Sequence, residues 1–222
     1  MAKTHEKILV NGKDNWFQNY DFNEKYGIQP GDIVVLEGNY GDIDFKKIVG
    51  VTFVNRGPVN MKSMTIYPGG GAKDIQVFGD QTPGLKYGMQ CKGTRFAMNF
   101  QSVGKMVFRG VSTDGNQVGF KIVHDKATIF PLDFVELEIS NCLVQNCSLE
   151  AMYIGADHLT GPFIHWNIFK NEVRNAGWDA IQCRVGYGDI TDNICDNIGL
   201  AKAAGQDHGI LVGGTVIVYI SP

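Results

Sequence analysis

Three five-residue segments of this chain recur at a fixed step. They are Glu150-Ala151-Met152-Tyr153-Ile154, Asp179-Ala180-Ile181-Gln182-Cys183 and His208-Gly209-Ile210-Leu211-Val212, and their second positions lie 29 residues apart (180 − 151 and 209 − 180). Each begins with an acidic residue or His, continues with a small residue, and then alternates apolar, polar or large, apolar. Segments this short do not make helices, and the alternation is that of a strand. Self-similarity at such a period marks a chain built by stacking one small unit on the next. With 222 residues the chain can bury one continuous core. Its 28 glycines, with frequent Asn, Asp and Pro, predict many tight turns and leave no room for long helices.

Residues 1–30 differ from the rest. The aromatic, polar run Asn15-Trp16-Phe17-Gln18-Asn19-Tyr20-Asp21-Phe22 leads into Asn23-Glu24-Lys25-Tyr26-Gly27, which could close a short helical turn. A stacked-coil protein must cover its first rung, so 1–30 reads as an N-terminal cap and 31–222 as the stack. Strands are expected at Ile33–Leu36, Ile43–Phe45, Val51–Val54, Met64–Tyr67, Ile75–Phe78, Phe96–Phe100 and Met106–Phe108, with looser spacing between 55 and 130. Gly119-Phe120-Lys121-Ile122 occupies a place like Ala151–Ile154, at a step of 32 (151 − 119). From Val135 onward each strand is followed by a pair of asparagines: Asn141 and Asn146, Asn171 and Asn175, Asn193 and Asn197. Asn tolerates left-handed backbone and can bond the adjacent rung, so the pairs predict side-chain ladders at successive corners. The later pairs are 22 residues apart (193 − 171 and 197 − 175), which suits a basic coil of that length with insertions.

The run Asn-x-x-x-Asn-x-Gly-Trp-Asp-Ala-Ile, Asn171 to Ile181, resembles the repeat of right-handed parallel β-helix proteins of the pectate-lyase-like type. The segment Pro30-Gly31-Asp32-Ile33-Val34-Val35-Leu36-Glu37-Gly38-Asn39-Tyr40 is similar to their opening coil. The resemblance covers roughly residues 28–220. It implies an all-β solenoid of coils of roughly 22–30 residues with three parallel sheets and side chains in columns along the axis. It also implies a secreted or cell-surface setting. Members include pectate and alginate lyases, polygalacturonases, epimerases and phage tailspikes, so the fold by itself does not select an activity.

In such a stack, equivalent residues on neighbouring rungs lie about 4.8 Å apart. Alternation places Met152, Ile154, Ile181, Cys183, Ile210 and Val212 inside, and Tyr153, Gln182 and Leu211 outside. Glu150, Asp179 and His208 then form one column at the strand entrance, with Arg184 at the exit. Polysaccharide chemistry uses such sets: hydrolysis needs two carboxyl groups, and close carboxylates raise one pKa as a general acid requires. A lyase or epimerase needs a base and a positive charge at the enolate. Glu150, Asp179, His208 and Arg184 are the catalytic candidates; Tyr153, Gln182, Trp178 and Tyr187 are the substrate-binding candidates, and Trp166, like Trp178, suits core packing more often than a sugar platform. The same column also arises in a non-catalytic or adhesin-like scaffold, where polar residues serve only the corners. No protein-metal site is expected, though Asp157, Asp189, Asp192 and Asp196 could supply oxygen ligands to calcium. His158 and His165 fall on different elements.

A net charge of −3 with mixed signs gives no field for nucleic acid or acidic membranes, and no apolar run is long enough to span a bilayer. The five cysteines match no zinc spacing and read as small apolar filler. Asn146-Cys147-Ser148 matches a glycosylation sequon but falls in the expected ladder. The start of the chain lacks a secretory pattern. The apolar run Thr215–Ile220 would leave an open rung at the end, which predicts end-to-end self-association or further coils beyond it.

Overall fold

The computed structural model describes residues 6–9, 27–45, 48–66, 72–93, 95–101, 103–123, 135–155 and 164–219. Among these there is no helix, and therefore no helix long and apolar enough to cross a membrane. The strands are β1 (Glu6–Leu9), β2 (Ile33–Asn39), β3 (Asp42–Phe45), β4 (Thr52–Met61), β5 (Ser63–Ile66), β6 (Lys73–Phe78), β7 (Met89–Lys92), β8 (Phe96–Phe100), β9 (Val103–Arg109), β10 (Val111–Asp114), β11 (Val118–Ile122), β12 (Val135–Ser140), β13 (Leu143–Cys147), β14 (Met152–Ile154), β15 (Ile164–Phe169), β16 (Glu172–Ala176), β17 (Ile181–Thr191), β18 (Ile194–Ile198) and β19 (Ile210–Tyr219).

Every register between them is parallel, and the pairings sort into three stacks. The first runs β6, β9, β12, β15 and on to the second half of β17. The second runs β7, β10, β13, β16, β18. The third runs β3, β5, β8, β11, β14 and the first half of β17. A strand thus meets the strand one coil later, as in a parallel β-helix solenoid. β17 belongs to two stacks because it turns a corner between Arg184 and Gly186, where Val185 takes φ 52°. β1 pairs with β2 and so extends the first stack within the segment expected to be a cap; residues 10–26, which carry the rest of that expectation, lie outside the described residues.

The alternation of apolar residues produces the core directly. In β12, Val135, Leu137 and Ile139 are buried while Glu136 and Glu138 face out. Phe108, Ile139, Ile168 and Ile190 succeed one another in a single buried column. Phe108 also packs edge-on against Phe100, at 4.7 Å between ring centroids. Each such side chain contributes about 1.5–3 kcal/mol by leaving water. All five cysteines are free and four are buried; burial pushes the thiols of Cys142 and Cys147 up to about 12, consistent with inert filler.

Trp166 is fully buried, so of the two roles open to it, packing and sugar stacking, it takes packing. Its register partner on the next rung is Gly188, and Gly186 lies beside it. A Cβ on Gly186 would overlap the indole, and one on Gly188 would overlap the Trp166 carbonyl. The ring therefore uses the space that a side chain at Gly186 would take, and Gly188 lets the two main chains approach.

Two asparagine ladders hold the corners of the second stack. Inside, Asn171 Oδ1 accepts from Cys142 N (2.9 Å), and its Nδ2 donates to Ile139 O (2.8 Å) and to Asn193 Oδ1 (3.0 Å). Asn193 Nδ2 in turn donates to Ile168 O (2.8 Å). Outside, Asn197 donates to Asn175, Asn175 to Asn146, and Asn146 to Asp114, at 2.7, 2.8 and 2.7 Å. These three asparagines share φ of 56–58°, the left-handed region Asn tolerates. The expected 22-residue step holds for the last rung of both ladders, and the rung before it steps by 29. Asn141 is a correction. It sits one position early, in the left-handed corner shared with Lys170 and Asp192, and Cys142 occupies the slot of Asn171.

Candidate functional site

The three segments that repeat at 29 residues enter the third stack side by side. Ala151 N donates to Asp179 O and Ala180 N to His208 O, both at 3.0 Å, so Glu150, Asp179 and His208 stand in a line as their spacing predicts. The line begins at Glu150: one rung earlier the position belongs to Val118.

Asp179 is completely buried. Its Oδ1 accepts from His208 N at 2.9 Å and lies 3.1 Å from His208 Nδ1, while Oδ2 has no hydrogen-bond partner among the described residues. A carboxylate facing Nδ1 calls for a proton there, which leaves Nε2 as the basic nitrogen of the neutral ring. The His208 side chain is 44% exposed, so that nitrogen belongs to a group solvent can reach. Asp179 itself cannot touch a polymer. Of the two carboxyl groups expected to act as an acid/base couple, Asp179 thus faces His208 rather than solvent.

Glu150 is buried but for one edge, and it heads a second network. With the Gln182 amide turned to satisfy both neighbours, its nitrogen donates to Glu150 Oε1 at 3.3 Å and its oxygen accepts from Arg184 at 3.1 Å. The Arg184 guanidinium lies 5.9 Å from the centre of the Tyr153 ring. On the rung before, Lys121 is the register partner of Tyr153, and its ammonium sits 4.3 Å from the centre of the Phe96 ring. Gln182 was expected to face out and contact substrate, yet it is only 1% exposed. Tyr153 flanks it on one rung and Leu211 on the next, and both ends of its amide are engaged, so it links Glu150 to Arg184 instead.

Trp178 lies half-buried in the bend just before Asp179, its backbone N–H donating to Leu149 O at 3.1 Å. Tyr187 is not part of this cluster: it belongs to the first stack, beside His165. Ile210, expected inside, is 36% exposed, because β19 pairs only with β17 among the described strands and has no rung on its far side. Asp189, Asp192 and Asp196 fall on the first stack, a corner and the second stack; among the described residues no group of three or more His, Cys, Asp or Glu is placed to hold a metal ion. Asp157 and His158 lie outside the described residues. Lys121 is a member the sequence reading passed over. Its signal was present in the alignment of Gly119–Ile122 with Ala151–Ile154.

Burial pushes the Glu150 carboxyl above its ordinary range and the Asp179 carboxylate adds to the rise; a backbone hydrogen bond and the charges of Arg184 and Lys121 pull against it. A carboxyl whose folded pKa is raised costs stability once pH climbs through the ordinary carboxylate range, where the unfolded chain releases the proton first. Glu150→Gln is therefore expected to raise the melting temperature at pH 7. The gain should vanish near pH 3.5, below the unperturbed value of about 4.3. Parallel melts at the two pH values check this, and a loss at pH 7 would contradict it.

No protein-family model matches this chain, and no curated protein or solved structure matches it either.

Proposed function

We propose that the chain is a right-handed parallel β-helix of the pectate-lyase-like type, in coils of roughly 22–30 residues, with an N-terminal cap over 1–30 and a secreted or cell-surface setting. Its function in this reading is to bind an acidic polysaccharide across the outer face of the third stack. The observation that carries the reading is the grouping of Lys121, Tyr153 and Arg184 on neighbouring rungs, next to a Glu150 carboxyl whose pKa burial raises. Two cations one rung either side of an aromatic ring suit uronate carboxylates and the sugar rings between them.

The reaction such a set suits is β-elimination. His208 Nε2 takes the proton from the carbon beside the uronate carboxyl, and Arg184 stabilises the enolate charge. The bond from the β-carbon to the glycosidic oxygen breaks, and Glu150 returns a proton to the leaving oxygen. Oligogalacturonate and oligoalginate titrated into wild-type protein by calorimetry test the binding, with absorbance at 235 nm following the unsaturated product. Arg184→Ala is expected to weaken binding at least about tenfold, or ~1.4 kcal/mol. Equal affinity of the variant, or no binding of either glycan by wild-type protein, would sink the proposal.

The burial of Asp179 and Gln182 supports a second reading, a scaffold whose polar columns only brace the stack. Under it, Asp179→Asn lowers the melting temperature and leaves glycan binding where it was.

A further inference from the structure

The first stack carries a different polar surface. Lys105, Glu136, His165 and Tyr187 are register partners on four successive rungs, all pointing outward. Beside them run Glu138, Asn167 and Asp189. A groove of about 180 Å³ opens between these columns, lined by Lys105, Glu136, Glu138, His165 and Asn167 and floored by Met106 and Leu137. At its upper end the rings of His165 and Tyr187 stack nearly parallel, 4.8 Å between centroids and 15° between planes. Tyr187 is among the few large apolar-bodied side chains left exposed, at 38%.

We propose that this groove is a second glycan site, separate from the third-stack face, and that it takes a neutral oligosaccharide. The two rings cover one face of each other, so the pair offers its outer edges and remaining ring faces as a rigid apolar surface for the C–H groups of a sugar. Glu136, Glu138 and Asp189 offer acceptors to hydroxyl groups, and the Asn167 amide can both donate and accept. Glu138 is already oriented by Ser140 Oγ, which donates to it at 3.0 Å. The groove spans three rungs, two steps of about 4.8 Å, and Tyr187 and Asp189 on the fourth rung continue it to the length of a short oligosaccharide. Charge sets the class. The two carboxylates of the groove, with Asp189 one rung beyond, against the one ammonium of Lys105 repel a polyuronate, whereas hydroxyl groups lose nothing to that field. The two faces thus divide acidic and neutral sugars between them.

Calorimetric titration with cello-, xylo- and manno-oligosaccharides, and with oligogalacturonate for comparison, tests the assignment. At least one neutral oligosaccharide is expected to bind. Tyr187→Ala should weaken it about tenfold or more, Tyr187→Phe should retain it, and Arg184→Ala should leave it unchanged. Glu136→Lys, at an exposed position, should weaken the neutral ligand as well, and it serves should Tyr187→Ala fail to fold. Failure of every neutral oligosaccharide to bind overturns the proposal. So does wild-type affinity in both Tyr187→Ala and Glu136→Lys, or a Tyr187→Ala variant that loses oligogalacturonate instead. Oligogalacturonate binding that fails while the neutral ligand still depends on Tyr187 would remove the third-stack reading and leave this one standing.

Discussion

Replacing Asn171 with alanine is expected to cost about 3–5 kcal/mol of stability, the largest loss from any single polar side chain described here. Asn171 is fully buried and joins three strands: it accepts from Cys142 N, donates to Ile139 O and bonds Asn193 on the next rung. Alanine leaves the Cys142 N–H and the Ile139 carbonyl without these partners, and each orphaned buried group costs about 1–3 kcal/mol. The melting temperature should fall by roughly 6–20 °C, at about 2–4 °C per kcal/mol for a chain of this length. Asn193→Ala should cost less, because Asn193 is only part-buried. Urea unfolding of the two variants beside wild type gives the comparison, and an Asn171→Ala loss below about 1 kcal/mol would refute this account of the ladder.

Gly155→Ala is expected to be more damaging still, at above about 4 kcal/mol or with no soluble protein. Gly155 ends β14 at φ 101°, and a Cβ there would overlap the backbone carbonyl of Arg184 on the next rung. No rotamer relieves a contact with main chain, so the two rungs would have to part. Gly115→Ala is the control. Its φ is similar, at 76°, but nothing lies within 4 Å of the added carbon, so only the backbone strain of about 1–2 kcal/mol applies. If Gly155→Ala melts no lower than Gly115→Ala, rung contact does not explain the glycine. Because Arg184 is the displaced neighbour, any folded Gly155→Ala protein should also bind acidic glycan more weakly than wild type.

The third stack was legible because its strands alternate strongly and repeat at 29 residues: Met152 pairs with Ile181, and Ile181 with Ile210. Even the irregular 32-residue step to Phe120 was readable, since Phe120 does pair with Met152. The second stack was not. Its strands, such as Glu172–Ala176, start just after the first asparagine of each pair and include the second, and present Glu172 and Arg174 outward with little apolar contrast. The asparagines drew attention as turn residues, and the strand that holds the second of them passed as part of the turn. That oversight also explains the shift at Asn141: without the strand there was no register to show that Cys142 fills the slot. At the site, alternation distinguished inner from outer faces but not outer from exposed. Gln182 points outward and is still covered, because its neighbours on adjacent rungs close over it. The line of Glu150, Asp179 and His208 was correct as a line. What the spacing could not contain was the depth of each member, which separates a buried brace from a reachable imidazole.

Trp166 and the bare backbone at Gly186 and Gly188 make two adjoining coils unlike each other in a way that cannot be averaged out. A tandem copy of the coil that carries the indole would bring one such ring against another where the present neighbour offers none. These coils are therefore not interchangeable modules. Growth of the solenoid by duplication at this point would require the new copy to shed side chains before it could seat, so its order of coils is written into the core as firmly as its fold.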